Sequence, residues 1–109
     1  PICVDAVKSL LNHLDVVITL LRASPITTVA EEAFYCYQVT AFLLAKLKQY
    51  KIKEGYTVEL AIPQFQNTYT QYKKAFSFVK PPMNFPQEPF NFNDETFLKR
   101  IRPPASKTL

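Results

Sequence analysis

The chain has a single glycine, Gly55, a single histidine, His13, and no tryptophan. Phosphate-binding loops need several glycines, because the backbone must come close to the anion, so one glycine excludes them. A lone histidine with no HExxH or paired-cysteine motif excludes the common zinc arrangements. Cysteine is also scarce. Cys3 and Cys36 are too few for a disulfide scaffold and too far apart to act as a metal-ligand pair. Both fall on apolar helical faces and read as free, buried thiols in a reducing compartment. No N-x-S/T glycosylation site is present. No run approaches the roughly 20 apolar residues of a membrane span. The apolar stretch at 10–21 is broken by Asn12, His13 and Asp15, which also rules it out as a secretory signal. Glu31 and Glu32 are adjacent, so on a helix they point apart and do not form a catalytic carboxylate pair. We therefore expect no catalysis, no cofactor, no metal and no small-molecule substrate.

Apolar residues make up 48% of the 109 and aromatics 14%, which implies one folded domain with a modest core. The chain begins at Pro1 and not Met, so we expect a piece of a longer cytoplasmic or nuclear protein.

The apolar spacing predicts an all-α three-helix bundle. Cys3, Val7, Leu10, Leu14, Val17 and Leu21 recur at steps of four and three, which predicts a helix over 2–22. Pro25 ends it. Thr28-Val29-Ala30-Glu31 fits a capping box, with Ile26 placed to staple the entry. The second helix is then expected over 28–53, ahead of Gly55, whose freedom suits the left-handed residue just past a helix end. This helix is apolar or aromatic on nearly every side, so it should be the central, buried one. Pro63 is expected in the first turn of a third helix over 63–79, where its missing N–H costs nothing. Phe65, Tyr69, Tyr72, Phe76 and Val79 form its apolar face.

Residues 1–80 are expected to form the bundle and 81–109 a Pro-rich extended tail. The tail alternates proline, asparagine and aromatics and cannot form a core by itself. Phe85, Phe90 and Phe92 are expected to wrap back over the bundle, since so many exposed aromatics would be costly. A short helix is placed at 94–102, capped by Asp94, with Phe97, Leu98 and Ile101 on one side.

With no chemical site in view, binding is the better reading. The least apolar line of helix two, Glu31, Tyr35, Gln38, Phe42 and Gln49, still carries two aromatics. Tyr35, Gln38 and Phe42, joined by Tyr69 and Tyr72 of helix three, form the candidate groove for a partner's helix or extended peptide. The plainer reading of these aromatics is core. The net charge of +4 is mild. Its densest cluster, Lys46, Lys48, Lys51 and Lys53, complements the dipole at a helix end. With Tyr50 and Tyr56 nearby, the cluster also leaves open a weak nucleic-acid-binding role. Self-association stays open as well.

Two resemblances accompany this reading. Glu31 to Gln38, EEAFYCYQ, with its leucine-rich continuation to Tyr50, resembles the second helix of microtubule-interacting-and-trafficking domains and of related tetratricopeptide hairpins. That resemblance implies a three-helix bundle that binds short helical tails of membrane-remodelling filament subunits. Helix three here lacks the family's Ala-Arg-Glu pattern. Leu14 to Thr28, LDVVITLLRASPITT, with LLAKLKQYK from Leu43 to Lys51, is similar to the N-terminal domain of transcription elongation factor S-II. It implies a helical bundle that docks disordered nuclear peptides. Tyr50 stands where that family usually has tryptophan, and the family's turn glycines are missing. Both resemblances imply docking of a peptide.

Overall fold

The computed structural model describes residues 2–50 and 55–96. Three helices follow in order: α1 (Ile2–Ala23), α2 (Thr27–Tyr50) and α3 (Gly55–Phe76). Each packs against the other two, and no strand longer than a single bridge occurs among the described residues. The protein is an all-α three-helix bundle.

The stripe of α1 packs as its spacing implies. Val7, Leu14, Val17, Ile18 and Leu21 are buried, while Asp5, Lys8, Asn12 and Asp15 face solvent. The side chain of Cys3 lies outside the described residues. From Ala33 to Gln49 every side chain of α2 is buried or half-buried. Its core face is narrow because Ala30, Ala33, Ala41 and Ala45 are small and have 0% exposure. Small side chains let neighbouring helices approach, and Tyr37 and Leu44 then fill the space between.

The start of α2 differs from expectation by one residue, within the usual spread of helix boundaries. Its first internal bond runs from the Ala30 N–H to the Ile26 carbonyl. Ile26, not Thr28, therefore sits at the cap. The adjacent Thr27 hydroxyl donates to the Pro81 carbonyl at 3.2 Å, tying the helix start to the tail. The same place is closed by a parallel bridge between Ile26 and Lys80, in which the Lys80 N–H donates to the Pro25 carbonyl at 3.1 Å. The Lys80–Pro81 peptide bond is cis.

The third helix corrects two expectations. It begins at Gly55, and no glycine has positive φ, so Gly55 opens α3 and does not cap α2 in the left-handed conformation. Pro63 lies inside α3, not in its first turn. The physical reason lies in the preceding turn. Ala61 and Ile62 are buried, extending the face of Phe65, Tyr69 and Tyr72 upstream. Pro63 itself and Glu59, whose carbonyl loses its usual i+4 donor, are both exposed, so water can satisfy that carbonyl. At the other end α3 stops at Phe76, not 79. The Phe78 and Val79 N–H groups close tighter turns onto the Ala75 and Phe76 carbonyls. The end of α2 expected at 51–53 lies outside the described residues.

Beyond Val79 the chain folds back over α2 and α3. Phe85 and Phe92 are buried and Phe90 is partly so. Phe85 sits among five rings, with centroids 4.8 Å from Phe76, 5.1 Å from Tyr37, 5.7 Å from Tyr69, 5.8 Å from Phe34 and 6.3 Å from Tyr72. The Tyr69 hydroxyl holds the strap by donating to the Pro86 carbonyl at 2.7 Å. Lys48 Nζ holds it further on, donating to Asn93 Oδ1 at 3.0 Å. Asp94 Oδ1 accepts from the Thr96 N–H at 2.9 Å, an N-cap geometry at the helical residues 95–96. The remainder of the expected 94–102 helix lies outside the described residues.

Candidate functional site

Tyr35, Gln38 and Phe42 stand on the side of α2 turned away from Tyr37, and all three are half-buried. None of them joins the aromatic cluster around Phe85. Lys46 prolongs the line by one turn. Its ammonium lies 5.7 Å from the centroid of the Phe42 ring and donates to Gln49 Oε1 at 3.3 Å. A cation over a ring face is held by the ring's quadrupole, so this edge is partly ordered before anything binds.

Tyr69 and Tyr72 are placed elsewhere. Both are buried, at 8% and 1% exposure. The Tyr72 hydroxyl donates to the Leu14 carbonyl of α1 at 2.6 Å, and Tyr69 is covered by the strap. The groove wall expected from α3 is therefore core. Two of the four lysines in the cluster are engaged within the chain, Lys46 with Phe42 and Gln49, and Lys48 with Asn93. Lys51 and Lys53, and the side chains of Tyr50 and Tyr56, lie outside the described residues. His13 is exposed on α1. Among the described residues no three His, Cys, Asp or Glu side chains gather where they could hold an ion. No described helix is long and apolar enough to cross a membrane.

The titratable groups of the interior are tyrosines and one thiol. Partial burial, reinforced by Glu32, raises the Cys36 pKa, which favours the protonated thiol over the reactive thiolate. Burial, and then the nearby Tyr69, push Tyr37 well above the usual value of 10.0. Tyr72 is raised in the same direction, by burial first and then by Cys36, Asp15 and Tyr37. A raised folded-state pKa means that the neutral phenol is favoured by folding. That stabilisation is complete below the unfolded value and is lost as pH climbs through the folded one. Alkaline titration is thus expected to ionise these two of the six tyrosines only as the helices melt. Phenolate absorbance followed alongside circular dichroism checks this. Full ionisation with the helical signal intact would contradict the burial of Tyr37 and Tyr72.

A second feature escaped the sequence reading. A groove of about 500 Å³ opens between the ends of α1 and α3, lined by Leu21, Arg22, Pro25, Lys74, Ala75 and Phe78. Phe78 is 60% exposed, unusual for a phenylalanine beside a formed cavity. The available signal was one of charge. Residues 16–30 and 60–87 contain no Asp or Glu, so every charge they bring together is positive.

Comparison of the chain with protein-family models, with curated proteins and with solved structures gives no match.

Proposed function

We propose that this protein is a non-enzymatic docking module that binds a helical or extended peptide of a partner along the outer line of α2. Tyr35, Gln38 and Phe42 would form the contact, with Lys46 at its edge. One observation carries the reading: two large aromatics stand on the face of α2 opposite Tyr37, outside the ring cluster that fills the core. Tyrosine and phenylalanine that close over when a partner arrives are typical anchors, each contributing about 2 kcal/mol or more. The line runs at three-four spacing, which suits a partner segment laid along the helix.

The test compares wild type with a Tyr35→Ala/Phe42→Ala double variant, both checked for helical content by circular dichroism. Partners captured by the wild type and lost at least ~10-fold by a folded double variant are the expected result, a ratio equal to about 1.4 kcal/mol. Retention of every partner by a folded variant removes this surface from consideration. Unfolding of the variant assigns both rings to the core.

A further inference from the structure

We propose that the groove between the ends of α1 and α3 is a second docking site, which takes an acidic peptide segment with one bulky apolar side chain. It shares with the reading above only the class of activity. The surface is different: no α2 residue lines the groove.

The wall has two parts. Leu21, Pro25, Ala75 and Phe78 make an apolar floor and side, and Arg22 and Lys74 flank it. The volume of about 500 Å³ is far larger than a packing defect and falls within the range of ligand-sized pockets. It is also open on one side, which suits the side chain of a peptide lying across it better than a fully enclosed small molecule. Phe78 stands at 60% exposure, just beyond the end of α3. Tight turn bonds and the Lys80–Pro25 bond hold this segment in place, so the ring is presented by a fixed backbone.

Charge selects the occupant. Arg22 makes one long bond, from Nη2 to Gln71 Oε1 at 3.4 Å, which leaves most of its guanidinium donors for another acceptor. Among the described residues no carboxylate holds Arg22 or Lys74. Lys74 complements the dipole at the end of α3, yet its charge is not consumed by doing so. Lys80 adds positive charge on the same acid-free segment, whereas Lys73 is turned away, over the Tyr69 ring and donating to the Gln87 carbonyl at 3.4 Å. The nearest acids in sequence are Asp15, about two turns before Arg22, Glu31 in the first turns of α2, and Glu88 on the segment after Val79, next to the Gln87 carbonyl that accepts from Lys73. A carboxylate-bearing segment that drops one aromatic or leucine side chain onto the floor would satisfy both parts of the wall. A nucleic-acid strand would use the cations but leave the apolar floor unfilled, and strong binding of that kind needs many phosphate contacts.

The probe is a fluorescent ten-residue peptide of aspartates and glutamates with a central phenylalanine, titrated into the full chain. The same titration followed by two-dimensional amide NMR locates the contact. Saturable binding is expected, with the largest shifts around Arg22, Lys74 and Phe78. Phe78→Ser and Arg22→Gln/Lys74→Gln each alter exposed side chains and leave the fold intact, and each should weaken binding at least ~10-fold. An all-acidic peptide lacking the phenylalanine should bind more weakly by a similar factor. Tyr35→Ala/Phe42→Ala should bind the probe as wild type does, so this site can fail while the α2 surface stands, and the reverse. The proposal is overturned by no saturation at millimolar peptide or by equal binding in the groove variants. It is also overturned by a single-stranded oligonucleotide that binds more tightly and depends on the same cations.

Discussion

Replacement of Phe85 by alanine is expected to destabilise the fold by about 3–5 kcal/mol, the range for truncating a buried phenylalanine. That loss is a large part of what holds a small domain together. Phe85 is 8% exposed and meets five rings from α2 and α3. Its removal leaves a void that those rings cannot fill, because each is fixed by its own helix. Aromatic pairs add about 0.5–1.5 kcal/mol beyond the area they bury, so the site should fall near the top of the range. Urea unfolding followed by circular dichroism measures the effect. A loss below about 1 kcal/mol would show that the strap lies on the bundle without supporting it.

The second large effect is at Tyr37, where two substitutions should move stability in opposite senses. Tyr37 has 0% exposure, with ring centroids 4.7 Å from Phe65 and 5.2 Å from Tyr72. Tyr37→Ala should cost about 3–5 kcal/mol for the same reasons of transfer and cavity. Its hydroxyl, however, is buried and has no hydrogen-bond partner among the described residues. An unsatisfied buried hydroxyl costs about 1–3 kcal/mol, so Tyr37→Phe keeps the ring, removes that cost and should raise the unfolding midpoint. Tyr72→Phe is the control. Its hydroxyl donates to the Leu14 carbonyl at 2.6 Å, and losing it should lower stability by about 1 kcal/mol. A Tyr37→Phe variant as destabilised as Tyr72→Phe would mean that the Tyr37 hydroxyl is satisfied in solution.

These particular residues show how far sequence reasoning reaches. The four-three repeat of Val7, Leu14, Val17 and Leu21 placed α1 to within a residue at each end, because a helix packed on one side must repeat in that way. The central burial of α2 was legible from a different signal, apolar residues on nearly every side, and Tyr37 and Leu44 lie in its core face. Pro63 misled, because its preference for a first turn is a local effect and the burial of Ala61 and Ile62 outweighs it. The candidate groove was only half legible. Tyr35, Gln38 and Phe42 share a face by spacing alone, but Tyr69 and Tyr72 lie on a stripe that reads equally as binding face or core. Only the neighbours decide, and here those are α1 and the strap. The strap's three rings were expected to wrap back and they do, but it has no period, so nothing in its order of prolines and aromatics ranks Phe85 and Phe92 above Phe90 as the rings that enter most deeply.

The position of Phe85 also orders events in time. Its partner Phe34 lies in the first half of the chain, so their contact closes a long loop. Contacts of that span are costly to make early, and they tend to form late on the way to the native state. During synthesis all three helices leave the ribosome before Phe85 and Phe92 do. Through that interval Tyr37, Phe65 and Phe76 stand without their cover. A chain ending shortly after residue 80 should therefore bind hydrophobic dyes and chaperones, and extension through residue 96 should end that binding.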